Sequence, residues 1–133
     1  KSIKGLCDNI IFHEWNNETY SSNLASCDIA IIPINLESKM ASGKPENKLI
    51  HLWKMGMPVI TSNTNSYKRV MDKCGVDLVC NSENDWINNL RLLSDNYELR
   101  QKIGKKVYNY ANNYYGTTAV IERWDTMFNQ IFK

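Results

Sequence analysis

The stretch from Lys44 to Ser62 constrains this chain more than any other, because it spells a loop, a short helix, a glycine stop and a strand in immediate succession. Pro45 suits the first turn of a helix, where its missing N–H would have no partner anyway, and Gly56 suits the left-handed position that closes one. A helix is therefore predicted over Glu46–Met55. Pro58 blocks its continuation, and Val59-Ile60-Thr61 is β-branched throughout, so a buried strand follows at once. A helix that starts beside Gly43, Lys44 and Lys48 gathers free N–H groups, a positive dipole end and ammonium groups in one place. Such a start is a seat for a phosphate.

The same alternation runs on both sides. Asn9-Ile10-Ile11-Phe12-His13 is a short apolar run that reads as a strand, and Tyr20, Leu24 and Cys27 recur at helical spacing. Asp28 to Ile34 is a continuous apolar run after its first residue, the mark of a parallel strand covered on both faces. The polar segment Asn35–Lys44 reads as a loop. After the Val59–Ser62 strand, Ser66–Cys74 is predicted helical, stopped by Gly75, and Val76–Cys80 is the next strand. From Ser82 the pattern is helical, opening with Ser82-x-x-Asp85, a capping box. Three apolar stripes follow and are expected to face a core: Trp86, Leu90, Leu93; then Leu99, Ile103, Val107, Tyr110, Tyr114; then Val120, Trp124, Met127, Phe128, Ile131. Strands alternating with helices imply an α/β fold with a parallel sheet of about four strands, flanking helices and a helical C-terminal tail, in a single domain over 1–133.

With 133 residues, 43% hydrophobic and 23% charged, the chain can bury a real core. Its formal charge of +2 is small and dispersed, which argues against nucleic acid as a partner. Cys7, Cys27, Cys74 and Cys80 form no Cys-x-x-Cys pair and are read as free, buried thiols of a reducing compartment. Neither the cysteines nor His13 and His51 have zinc spacing, so no metal site is expected. No apolar stretch approaches the roughly 20 residues that span a bilayer, and no signal peptide is recognisable. The Asn17-Glu18-Thr19 sequon is then incidental, and the absence of an initiator methionine suggests one part of a longer chain.

Parallel sheets bind ligands beyond the carboxyl ends of their strands. Here those ends are His13–Asn17, Ile34–Lys44, Ser62–Asn65 and Cys80–Asn84. On the helix after the longest of these loops, Asn47 and His51 lie four apart and Lys48 and His51 three apart, so an amide, an ammonium and an imidazole can share one face. That face could hold a diphosphate and a ribose, or simply meet water. His13 and Glu14 could border the same cleft, and Glu37 and Lys39 lie in the loop, where most charged residues are only solvated. Asp28 opens a strand and reads as a connector. Nothing matches a Ser-His-Asp triad, a Gly-x-Ser-x-Gly elbow or a Walker-type loop.

Asp28-Ile29-Ala30-Ile31-Ile32-Pro33, Pro45-Glu46-Asn47-Lys48-Leu49-Ile50 and Gly56-Met57-Pro58-Val59-Ile60-Thr61, continued by Val76–Cys80 and Leu93–Arg100, resemble the C-terminal, donor-binding domain of GT-B glycosyltransferases, the glycosyl transferases group 1 family. The likeness spans roughly residues 9 to 132. It implies a Rossmann-like half of a two-domain, cytoplasmic enzyme of hexosyltransferase type, acting in polysaccharide or glycoconjugate assembly. Such an enzyme moves a sugar from a nucleotide-diphosphate donor to an acceptor hydroxyl and needs no separate cofactor. The acceptor-binding N-terminal domain, absent from this chain, would carry any contact with the inner membrane, and this part alone would be inactive. Carried over by position, Lys44, Glu46, Asn47, Lys48, His51, Ser62 and Asn63 would bind the donor, with Lys48 toward the phosphates or sugar and His51 toward the ribose. The positions matching the family's Glu-x7-Glu pattern are Gly43 and His51, and the two strands that normally precede Asn9–His13 have no counterpart. Two other readings stand beside this one: a nucleotide-sugar epimerase of the same shape, and a non-catalytic α/β interaction module.

Overall fold

Buried strands need neighbours on both sides, and Val59–Ser62 is the one strand among the described residues that is buried throughout. In the computed structural model, which describes residues 9–132, it forms the central strand β2 of a parallel sheet. β1 (Ala30–Ile32) lies on one side of it and β3 (Val79–Cys80) on the other. Ala30 stands opposite Val59, Ile32 opposite Thr61 and Ser62 opposite Cys80. The helices are α1 (Tyr20–Ala25), α2 (Lys39–Ser42), α3 (Asn47–Lys54), α4 (Asn65–Cys74), α5 (Glu83–Asp95), α6 (Tyr97–Tyr115) and α7 (Thr117–Ile131).

Local chemistry explains the boundaries. Gly56 and Gly75 end α3 and α4 in the left-handed region, at φ 73° and 68°, as their positions in the sequence predict. Thr64 caps α4 by accepting from the Tyr67 N–H. Ser82 and Asp85 form the predicted capping box at the start of α5. The backbone N–H groups of Asn81 and Ser82, which donate to Asp85 Oδ2, hold its carboxyl below the usual range, with a smaller contribution from the Ser82 side chain.

The core lies where α3, α4, α5 and α6 meet β2. Leu49 and Trp53 from α3, Val59 and Ile60 from β2, Val70 and Met71 from α4, Leu93 from α5 and Val107 from α6 are almost fully buried. Trp53 meets Tyr110 edge to face, with centroids 5.8 Å apart and planes at 85°. Helix α6 approaches the α3–β2 turn so closely that a Cβ on Gly104 would collide with the Gly56 carbonyl.

The sheet has three strands rather than four. Asn9–His13 makes no strand: a strand exists only where a neighbour takes its N–H and C=O groups, and here Ile11 and Phe12 are 80% and 83% exposed. β3 begins at Val79 rather than Val76 because the Val76 N–H is already given to Met71 O, closing α4. The Asn35–Lys44 loop contains the one-turn α2, capped by Ser38.

The third apolar stripe is not core. No residue of α7 is buried, and Trp124, Phe128 and Phe132 stack along their own helix at 5.7 and 6.1 Å. Helical period marks an apolar face but does not supply what covers it. Of the cysteines, Cys74 and Cys80 are buried and free, whereas Cys27 is exposed and donates to Asn23 O. Cys7 lies outside the described residues. Among the described residues, no helix is long and apolar enough to cross a membrane.

Candidate functional site

Chain direction places the start of α3 at the carboxyl end of β1, and it is here that Asn47, Lys48 and His51 come together. All three line a cleft of about 730 Å³. Its floor is Ala30–Ile34, and its far wall is Trp15, Tyr20 and Leu24. No side chain caps α3 at Glu46, so the first N–H groups of the helix keep their capacity to bind a ligand. His51 is exposed, and its ring stacks on Tyr20 with centroids 5.5 Å apart and planes at 29°. Trp15 in turn packs on Tyr20 at 4.4 Å. The Tyr20 stack covers one face of the imidazole, and His51 stays exposed.

The other predicted donor residues have different employment. Glu46 turns away from the cleft: both its carboxylate oxygens accept from Arg69 Nη2 at 3.0 Å, and Tyr115 Oη donates to Oε1 at 3.2 Å. Burial, reinforced by the Glu46 charge, pushes the Tyr115 phenol up to about 12. Buried Ser62 uses its hydroxyl to accept from Ile34 N at 2.8 Å and donate to Ile34 O at 3.1 Å, which pins the chain leaving β1. Asn63 Nδ2 donates to Asn81 Oδ1 at 2.7 Å and ties together the loops after β2 and β3. Lys44 is exposed just ahead of α3 and does not line the cleft. His13 and Glu14 are likewise exposed and outside its lining.

Sequence reasoning missed Trp15 and Tyr20. Spacing reads Tyr20 only as part of a helical stripe with Leu24 and Cys27, and the available signal was Trp15, a second aromatic residue close before it in an otherwise polar, asparagine-rich stretch. A second cleft, about 600 Å³, opens at the opposite end of the sheet beside Cys27, Asp28, Gly56, Arg100 and Lys105. Its deeply held cation is already engaged, since Arg100 Nη1 donates to Leu93 O and Ser94 O at 2.6 and 2.9 Å. The first cleft is therefore the better equipped for a ligand. Among the described residues, no group of three or more His, Cys, Asp or Glu side chains could hold a metal ion.

A scan against protein-family models, a search of curated proteins and a search of solved structures each find no match for this chain.

Proposed function

We propose that this chain is the donor-binding part of a GT-B-type glycosyltransferase, Rossmann-like in plan, and that the α3 cleft takes the diphosphate and ribose of a nucleotide sugar. The observation that carries this reading is the convergence of Lys48, His51, Asn47 and an uncapped helix start at the carboxyl end of a parallel strand. In it, the Lys48 ammonium and the α3 N–H groups neutralise the departing diphosphate. Preorganised charge of this kind lowers a barrier by roughly 3 to 4 kcal/mol when a single donor is at stake. His51, stacked on Tyr20, hydrogen-bonds a ribose hydroxyl, and Asn47 adds an amide. The acceptor and the remaining catalytic groups belong to a partner domain, and the work is done without a resident cofactor.

The competing reading is a non-catalytic interaction module, favoured by the mainly apolar floor of the cleft and by the uncovered face of α7. Ligand-observed NMR with UDP, GDP, ADP and CMP separates the two. Donor binding requires saturable association with one nucleotide that Lys48→Ala and His51→Ala each weaken. Absence of binding by a folded chain would sink the donor reading and leave the module.

A further inference from the structure

Glu46 is the residue just ahead of α3 and carries the one acidic side chain between Lys44 and Lys54. The first bond of that helix runs from Ile50 N–H to Glu46 O at 3.0 Å, so the N–H groups of Asn47, Lys48 and Leu49 lie ahead of it and form the positive end of the helix. An acidic side chain in the cap position is attracted to those groups and can accept from the second or third of them, here Lys48 and Leu49. The Glu46 side chain makes no such bond. Under local forces alone its carboxylate would take the seat that an incoming phosphate needs and set a like charge beside it.

Two residues distant in the chain draw it off. Arg69 on α4 donates from Nη2 to both carboxylate oxygens at 3.0 Å, and Tyr115 Oη at the end of α6 donates to Oε1 at 3.2 Å. With the Glu46 side chain only 15% exposed, the pair is screened less than one on the open surface. Tyr115 is itself anchored, since Lys54 Nζ donates to its carbonyl at 2.8 Å and the Arg123 guanidinium lies over its ring at 5.8 Å. Neither Arg69 nor Tyr115 lines the α3 cleft. We infer that Arg69 and Tyr115 are positioning residues for the anion seat: they hold the Glu46 carboxylate off the start of α3 and so keep its N–H groups and Lys48 available to a diphosphate. That the anion is a diphosphate rests on the donor-site reading; that the carboxylate is diverted does not. A plain structural tie among α3, α4 and α6 would use the same contacts with another consequence, because losing either end of a tie does the same harm. Here loss of Arg69 harms the seat and loss of Glu46 does not.

Spectra of ¹H–¹⁵N pairs in the chain, first ligand-free and then titrated with inorganic pyrophosphate, test the inference. Without ligand, Arg69→Ala is expected to shift the Lys48 and Leu49 amides as the freed carboxylate reaches them, and to leave them in place when made in a Glu46→Ala background. With pyrophosphate, Arg69→Ala should weaken binding about fivefold, and Tyr115→Phe, which takes away only a neutral donor, about twofold. Glu46→Ala should bind at least as tightly as the parent, and adding it to Arg69→Ala should restore the parent affinity. Amides indifferent to Arg69→Ala, a loss in Glu46→Ala matching that in Arg69→Ala, or no recovery in the double variant would each overturn the inference. If the parent chain binds no pyrophosphate, or binds it no better than Lys48→Ala, the donor-site reading falls, and the amide shifts still decide whether Arg69 holds the carboxylate away.

Discussion

The two sides of β2 are built differently. On the side of β3, side chains of α4, α5 and α6 interlock around it: Leu93 and Val107 are fully buried, Asp85 finishes the start of α5 and Lys68 pairs with Asp72 on the surface. On the side of β1, no further strand pairs among the described residues, α1 buries nothing completely, and Ile31 is 53% exposed. Stability is concentrated in the first region, and the groups with spare binding capacity are in the second. A side chain already locked by neighbours cannot also meet a ligand, which is why Glu46, held by Arg69 and Tyr115, differs in role from Lys48 only two residues on.

Substitutions should expose that asymmetry by their size. The largest loss is expected for Trp53→Ala, which empties a fully buried indole site. Large aromatic truncations of this kind cost about 3–5 kcal/mol, read as a lower urea midpoint. Gly104→Ala should cost about 1–3 kcal/mol, because the new methyl group forces α6 off the Gly56 carbonyl. Ser82→Ala removes the capping box of α5 and should cost about 1 kcal/mol in the same assay.

Alkaline pH probes the Glu46 cluster. The Tyr115 phenol is raised in the folded chain, so its contribution to stability is complete below the ordinary tyrosine value of 10.0 and disappears as pH climbs through about 12. Absorbance of phenolate against pH should show Tyr67, Tyr110 and Tyr115 ionising late, all raised first by burial, and Glu46→Gln should bring their titration earlier. At the bottom of the scale, Trp124→Ala on the uncovered α7 face should change stability by no more than about 0.5 kcal/mol. A loss comparable to that of Trp53→Ala would mean that α7 is packed after all.

Much of this was legible in the sequence where one residue's chemistry decides the outcome. Pro45, Gly56 and Pro58 bracket α3 and β2, Gly75 stops α4, and Ser82 with Asp85 opens α5, because each acts on its own backbone. What failed depended on distant partners. Ile10-Ile11-Phe12 has the composition of a strand, but composition does not provide the neighbour whose hydrogen bonds make one. Trp124 and Phe128 have the period of a core helix, but period does not provide a covering element.

The candidate site divides the same way. Asn47, Lys48 and His51 share a face because helical geometry requires it, and that much could be read directly. The diversion of Glu46 arises from Arg69 and Tyr115, 23 and 69 positions away in the chain. The contribution of Tyr20 arises from a stack across two helices.

The most direct test of the claim that the open side of the sheet is the working side is a residue-resolved ¹H–¹⁵N map of the chain titrated with the nucleotide it binds. Shifts are expected to concentrate at Tyr20, Asn47, Lys48 and His51, with the Glu46, Tyr110 and Tyr115 cluster unmoved. Shifts centred instead on Arg100 and Lys105, or spread over the β3 side with the α3 face silent, would contradict it.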